Sequence, residues 1–117
     1  MSTSQSSQNH QHLYRIDKFK VPPPAREEFL ERVRNINGFL RTQPGFVRDA
    51  VFEQASGPGS FNLITLVEWE SAAAVEGAKK AAEARYAKSG FDPQEVIRRL
   101  GIEADIATYQ ETWQVTP

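Results

Sequence analysis

Arg41-Thr42-Gln43-Pro44-Gly45-Phe46 begins the stretch that decides the fold, and it runs on through Ser56-Gly57-Pro58-Gly59-Ser60 to Phe61-Asn62-Leu63-Ile64-Thr65-Leu66-Val67-Glu68-Trp69-Glu70-Ser71. Pro44 ends a helix, because the residue before proline is pushed out of helical geometry, and Gly45 permits the tight turn that follows. A strand from Phe46 to about Gln54 then reaches a Gly/Pro/Ser turn at 56–60, which marks a hairpin with a loop longer than two residues. The next strand is expected over Phe61 to Trp69. Phe61, Leu63, Thr65, Val67 and Trp69 share one face; Asn62, Ile64, Leu66 and Glu68 share the other. Ser71 is a natural N-cap for a helix over Ala72 to about Lys88.

Upstream, Leu13 to Val21 reads as a first strand. Tyr14 and Ile16 share one face; Leu13, Arg15, Asp17 and Phe19 lie on the other. Val21-Pro22-Pro23-Pro24 stops it, because proline cannot donate to a sheet ladder. The same prolines open a helix, where Glu27 and Glu28 sit near the positive end of the dipole. Phe29, Val33, Ile36 and Leu40 form its apolar stripe. Downstream, Asp92-Pro93-Gln94-Glu95 gives an N-cap, a proline at the first helical position and a Glu three residues after the cap. A short helix follows over Pro93–Leu100, which could serve as lid, dimer clamp or spacer. A last strand is expected from about Ile106 to Val115, with Ala107, Tyr109, Trp113 and Val115 on one face.

The order is strand, helix, strand, strand, helix, short helix, strand, an α+β ferredoxin-like split βαβ arrangement with a four-stranded antiparallel sheet. Helices cover one face of such a sheet. Strands one to three carry apolar residues on both faces, so a second copy packed sheet against sheet is expected, a homodimer closing an α/β barrel.

The 117 residues fit one domain, read as a polar disordered tail over 1–11 and a folded domain over 12–117. A net charge of −1 offers no basic patch for nucleic acid or an anionic membrane. The absence of cysteine excludes disulfides and thiolate chemistry. With no apolar run long enough for a membrane span and no secretory leader, a cytoplasmic location is expected. His10 and His12 could bind a metal by spacing, but they read as part of a solvated tail, and no metal is expected.

Phe29-Leu30-Glu31-Arg32-Val33, Gln43-Pro44-Gly45-Phe46 and Val67-Glu68-Trp69-Glu70-Ser71 resemble the antibiotic-biosynthesis-monooxygenase family of dimeric α+β barrels. The likeness covers about residues 12–116. It implies a cofactor-independent monooxygenase that oxidises an aromatic, quinol or polyketide-like small molecule with O2. The alternative is a non-catalytic dimeric barrel that binds a small hydrophobic ligand. The haem-degrading branch of the family uses a histidine on the second helix and an Asn on strand one; Trp69 matches its strand-three Trp, but neither other residue is present. The monooxygenase branch is associated with Asn, Trp, Tyr and Arg near the pocket. The resemblance therefore implies Trp69, Tyr86 and Asn62 as catalytic candidates, with Arg85 beside them. Seven residues apart, Asn62 and Trp69 point to opposite faces of a regular strand.

Each candidate also has a purely structural reading. Trp69 suits core packing, Tyr86 a packing tyrosine and Arg85 a solvated surface. Tyr14, Asp17, Asn37 and Trp113 are the substrate-binding candidates. Tyr14 and Trp113 are amphipathic aromatics that suit a pocket or a dimer interface. Asp17 beside Arg15 reads as a site or an ion pair, since an unpaired buried charge is costly. Asn37, one turn after Val33, could bond a ligand under the helix or cap a backbone group near Gly38.

Overall fold

The computed structural model describes residues 11–112. Four strands form one antiparallel sheet: β1 (Leu13–Lys20), β2 (Phe46–Glu53), β3 (Leu63–Trp69) and β4 (Glu103–Gln110). Their order across the sheet is β2-β3-β1-β4. The helices are α1 (Arg26–Leu40), α2 (Ala72–Ser89) and α3 (Pro93–Arg99), with a 3-10 turn over Pro23–Ala25 before α1. This is the ferredoxin-like α+β arrangement expected from the element order.

The helix boundaries follow their caps. Ser71 Oγ accepts a hydrogen bond from the Ala74 N–H at the start of α2, and Gly90 ends it with φ +73°. Asp92 accepts from the Gln94 N–H at the start of α3. Gly45 takes φ +85°, and a Cβ there would collide with the Ala74 side chain. Its carbonyl accepts from the Glu70 N–H, so the Pro-Gly turn fastens α1's exit to α2's entrance.

Two strand boundaries differ from the sequence expectation. β3 begins at Leu63, not Phe61, because β1 turns away after Lys20 and leaves Phe61 without a ladder partner. β4 begins at Glu103, three residues before Ile106, because Lys20 and Phe19 extend the ladder to Glu103 and Ala104. Backbone pairing, not hydrophobic alternation, sets both ends. The expected continuation of β4 through Trp113 and Val115 lies outside the described residues.

Register divides the sheet's faces. Leu13, Arg15, Asp17 and Phe19 stand opposite Trp69, Val67, Thr65 and Leu63 on the helix-facing side. Tyr14, Ile16 and Lys18 stand opposite Glu68, Leu66 and Ile64 on the other. That second face carries no helix. Phe52 on it is 51% exposed, beside Ile64, Leu66 and Ile16.

The core on the helix side is in two parts. One holds Phe19, Val21, Ala25, Phe29, Val33, Leu63 and Ile102. The other holds Val67, Trp69 and Ala78, with Leu40, Phe46, Ala74 and Val75 against it. Phe29 meets Phe19 edge-on at 4.7 Å, and Leu40 reaches the Trp69 cluster, so α1 runs back along β1. One helical turn advances about as far as two strand residues, roughly 6 Å. Val33 and Asn37 therefore step past Asp17 and Arg15, and these polar groups with Thr65 separate the two apolar clusters.

Candidate functional site

A cleft of about 1030 Å³ lies between α1 on one side and α2 with α3 on the other. Ligand sites commonly run to several hundred Å³, so this volume admits a polycyclic small molecule. Val33 and Ile36 from α1, Ala81 and Ala84 from α2, and Val96 and Ile97 from α3 make it apolar. Small alanines on α2 leave the space, since a bulkier row there would fill it.

Three aromatic rings stand around this apolar surface: Phe39, Tyr86 and Phe91. Tyr86 and Phe91 lie 5.3 Å apart between centroids. Each helix also sends a guanidinium to the other wall. Arg85 from α2 sits 4.7 Å from the Phe39 ring centroid and donates to Asn35 Oδ1 at 3.3 Å. Arg32 from α1 sits 4.6 Å from the Phe91 ring centroid. Such stacking favours planar cations over aromatic faces. Burial pushes the Tyr86 phenol above its ordinary pKa, with Arg85 opposing.

Of the catalytic candidates, Tyr86 alone lines the cleft. Trp69 is 2% exposed, with its ring packed edge-on against Phe46 in the second core cluster. Asn62 precedes β3, and its amide is occupied. Its Oδ1 accepts from the Val21 N–H and its Nδ2 donates to the Val21 carbonyl, both at 2.9 Å. That pair of bonds closes the backbone where β1 breaks off at the prolines, and Asn62 does not line the cleft.

The substrate-binding candidates fall in two places. Asp17 and Asn37 lie beneath α1, in the polar layer between the core clusters. Asp17 is held by Arg15 at 3.3 Å, so the charges pair along one strand on the helix-facing side. Burial raises the Asp17 pKa, with Arg15 opposing it. Asn37 is buried at 6% exposure on the sheet-facing side of α1. Tyr14 lies on the helix-free face of the sheet, beside Glu68, with its phenol pKa raised first by burial and then by that carboxylate. Trp113 lies outside the described residues.

His12 departs from the solvated-tail reading. Its Nδ1 lies 2.6 Å from Glu68 Oε2, while Arg48 Nε donates to Glu68 Oε1 at 2.9 Å. Burial pushes the Glu68 carboxyl up, but the His12 and Arg48 bonds outweigh it and the net shift is downward. This triad is on the helix-free face, opposite in orientation to the cleft. Among the described residues no three His, Cys, Asp or Glu side chains are arranged to hold a metal ion, and no helix is long and apolar enough to cross a membrane.

Sequence reasoning missed Arg32, Asn35, Phe39 and Phe91. The first three recur along one flank of α1, off its apolar stripe, where they read as surface. The short helix is a wall: Val96 and Ile97 line the cleft, and Arg99 reaches Glu28 on α1 at 2.6 Å.

The fold is shared with solved structures. SnoaB, a cofactor-independent oxygenase from Streptomyces nogalater, superposes with a TM-score of 0.65 at 21% identity, covering 92% of this chain and 98% of that one. The haem-degrader MhuD from Mycobacterium tuberculosis, with two haems bound, gives 0.63 at 20% identity, covering 89% and 99%. A conserved protein from Methanosarcina mazei gives 0.63 at 16% identity, covering 92% and 99%. At these identities the likeness establishes the fold and nothing finer. No curated protein matches the sequence. The sequence model of the antibiotic biosynthesis monooxygenase family matches residues 13–89, two thirds of the chain, and the protein belongs to that family.

Proposed function

We propose that this protein is a cofactor-independent monooxygenase that oxidises an aromatic, quinol or polyketide-like molecule with O2 in the cleft between α1 and α2. The observation that carries the reading is the Tyr86 phenol beside Arg85 in an aromatic-lined, largely apolar cleft of about 1030 Å³. In this chemistry the deprotonated substrate is the electron donor. A ring CH2 flanked by phenols loses a proton, the carbanion delivers electrons to O2, and a C–O bond forms. Loss of the second hydrogen with O–O cleavage leaves a carbonyl, and the other oxygen atom departs as water. The protein must exclude solvent, hold the ring and stabilise the developing oxyanion. Apolar side chains supply the first two requirements; the Tyr86 O–H and Arg85 guanidinium are the donors for the third.

Haem degradation is a weaker reading of the same cleft. α2 contains no histidine, and His12 is engaged by Glu68 on the other face of the sheet. The non-catalytic alternative is favoured by one observation: two of the three catalytic candidates, Trp69 and Asn62, are consumed by packing and by the Val21 clasp.

The working form in this proposal is a homodimer. The helix-free face presents Ile16, Ile64, Leu66 and Phe52, and also Tyr109, 39% exposed, an apolar surface that a second sheet would cover. Oxygen consumption with an anthrone as substrate tests the activity. Turnover is expected in the native protein and a fall of at least tenfold in Tyr86→Phe, with the melting temperature held. Absence of turnover with ligand binding intact would favour the non-catalytic reading.

A further inference from the structure

The helix-free face of the sheet is patterned by its register. One row runs from Phe52 on β2 across to Asp105 on β4, and another, four residues along the strands, from Arg48 on β2 to Tyr109 on β4. Strands about 4.8 Å apart and rows about 3.4 Å per residue apart make the patch between them nearly square, roughly 14 Å each way. Phe52 and Tyr109, 51% and 39% exposed, occupy one diagonal. Arg48 and Asp105, also exposed, occupy the other. Leu66 and Ile16 hold the centre. β1 and β2 both run antiparallel to β3, so they are parallel to each other, and their connection through α1 is a right-handed crossover. The strands themselves twist right-handedly. Together these two hands lift the Phe52 and Tyr109 corners out of the helix-free face by roughly 4 Å and drop the Arg48 and Asp105 corners as far. The sheet therefore presents its two exposed rings and withdraws its corner charges.

We infer that two copies of this chain meet on that face with their strands crossed at about 90°, Phe52 of each packing on Tyr109 of the other. This inference rests on the homodimer of the proposed function and names how its two copies dock. With the strands of the two sheets aligned, each rising corner would face a falling one, and Phe52 would lie over the partner's Asp105 or the partner's Arg48. Crossed strands bring rising corners together and allow two arrangements: each ring on its own twin, or Phe52 on the partner's Tyr109. Lys18 separates them. Its ammonium lies 5.9 Å from the Tyr109 ring centroid, so a pair of Tyr109 rings would gather two ammoniums at one corner. Phe52 brings to that corner an uncharged ring whose face attracts a cation. The two-fold axis then runs along the Arg48–Asp105 diagonal, where like charges stand opposite each other. Sheets about 10 Å apart at the centre are roughly 17 Å apart at those falling corners, beyond the ~8 Å Debye length of physiological salt.

Dimer dissociation constants of the full chain, from sedimentation equilibrium, test the docking. Phe52→Ala and Tyr109→Ala are each expected to weaken the dimer at least tenfold, because the aromatic contact occurs twice per dimer. Both deletions remove the same contact, so the double variant is expected to stay within about threefold of the weaker single one. Losses that multiply in the double variant would overturn the pairing. Cross-linking gives a second readout, since the chain has no cysteine of its own. A short bis-maleimide is expected to join two chains of Phe52→Cys/Tyr109→Cys. It should not join two chains of either single variant, whose thiols would stand roughly 20 Å apart across the patch. Efficient cross-linking of a single variant would place each ring on its twin and overturn the inference. A native chain that stays monomeric at every concentration would overturn the homodimer itself, whereas a stable dimer with multiplied losses or the wrong cross-links would overturn only this docking.

Discussion

Replacing Asn62 with Ala separates the two roles that residue could have. The side chain makes two hydrogen bonds of 2.9 Å to the backbone of Val21, a residue only 2% exposed. Each bond contributes about 1 kcal/mol net, and a buried N–H or C=O left without a partner costs ~1–3 kcal/mol. Water reaching one of the stranded groups would soften the loss, so the expected destabilisation is about 3 kcal/mol. For a domain of this size that lowers Tm by roughly 12 °C. The assay is thermal melting by far-UV circular dichroism, backed by urea denaturation in which the midpoint falls and the slope holds. Below its lowered transition the variant is expected to keep native ligand affinity and native turnover per folded molecule. An unchanged Tm with lost turnover would refute the clasp and return Asn62 to the chemistry.

Trp69→Ala removes the ring that packs against Phe46 and is expected to cost about 3–5 kcal/mol; turnover should fall in step with the folded fraction measured by circular dichroism. The Asp17 pKa is raised in the folded state, so Asp17 favours folding when protonated, below its ordinary 3.8, and that contribution is lost as pH rises through the elevated folded value. Urea midpoints across pH 3 to 7 should therefore show native stability declining relative to Asp17→Asn with rising pH. Glu68 runs the other way: its folded pKa is lowered, so its contribution is present above its ordinary 4.5 and lost as pH falls through the lowered value. Leu66→Asp places a charge in the middle of the helix-free face and is expected to convert dimer to monomer by sedimentation velocity. A dimer that persists would place the interface elsewhere.

Much of the fold was legible because its signals are local. Pro44-Gly45, Ser71 and Asp92-Pro93 act within a turn of chain, and each stands at a turn or helix start it announced. Strand ends were less legible, since Leu63 and Glu103 are defined by partners across the sheet and not by their own neighbours in sequence. The cleft was the least legible part. Arg32 and Phe39 look like ordinary surface on a helical wheel, and their meaning comes from Phe91 and Arg85 on elements far along the chain. Asn62 is the opposite case: an amide beside a strand invites a chemical role, and its two bonds to the Val21 backbone become visible only in the structure. His12 read as tail because nothing in sequence announces Glu68, 56 positions away.

One consequence follows from how sparsely α2 is anchored. Ala78 is its one buried residue, with Ala74 and Val75 partly buried beside it against the Trp69 cluster. A helix held by so little opens locally at far lower free energy than the β1–β3 centre of the sheet, and its amides should exchange with deuterium well before those of β3. Since α2 forms a wall of the cleft, the molecule needs no dedicated lid: the loosest element is the one a bulky ligand has to move. A ligand that bridges α1 and α2 would slow exchange along Ala81 to Ser89 first, so protection there reports occupancy without any chemical turnover.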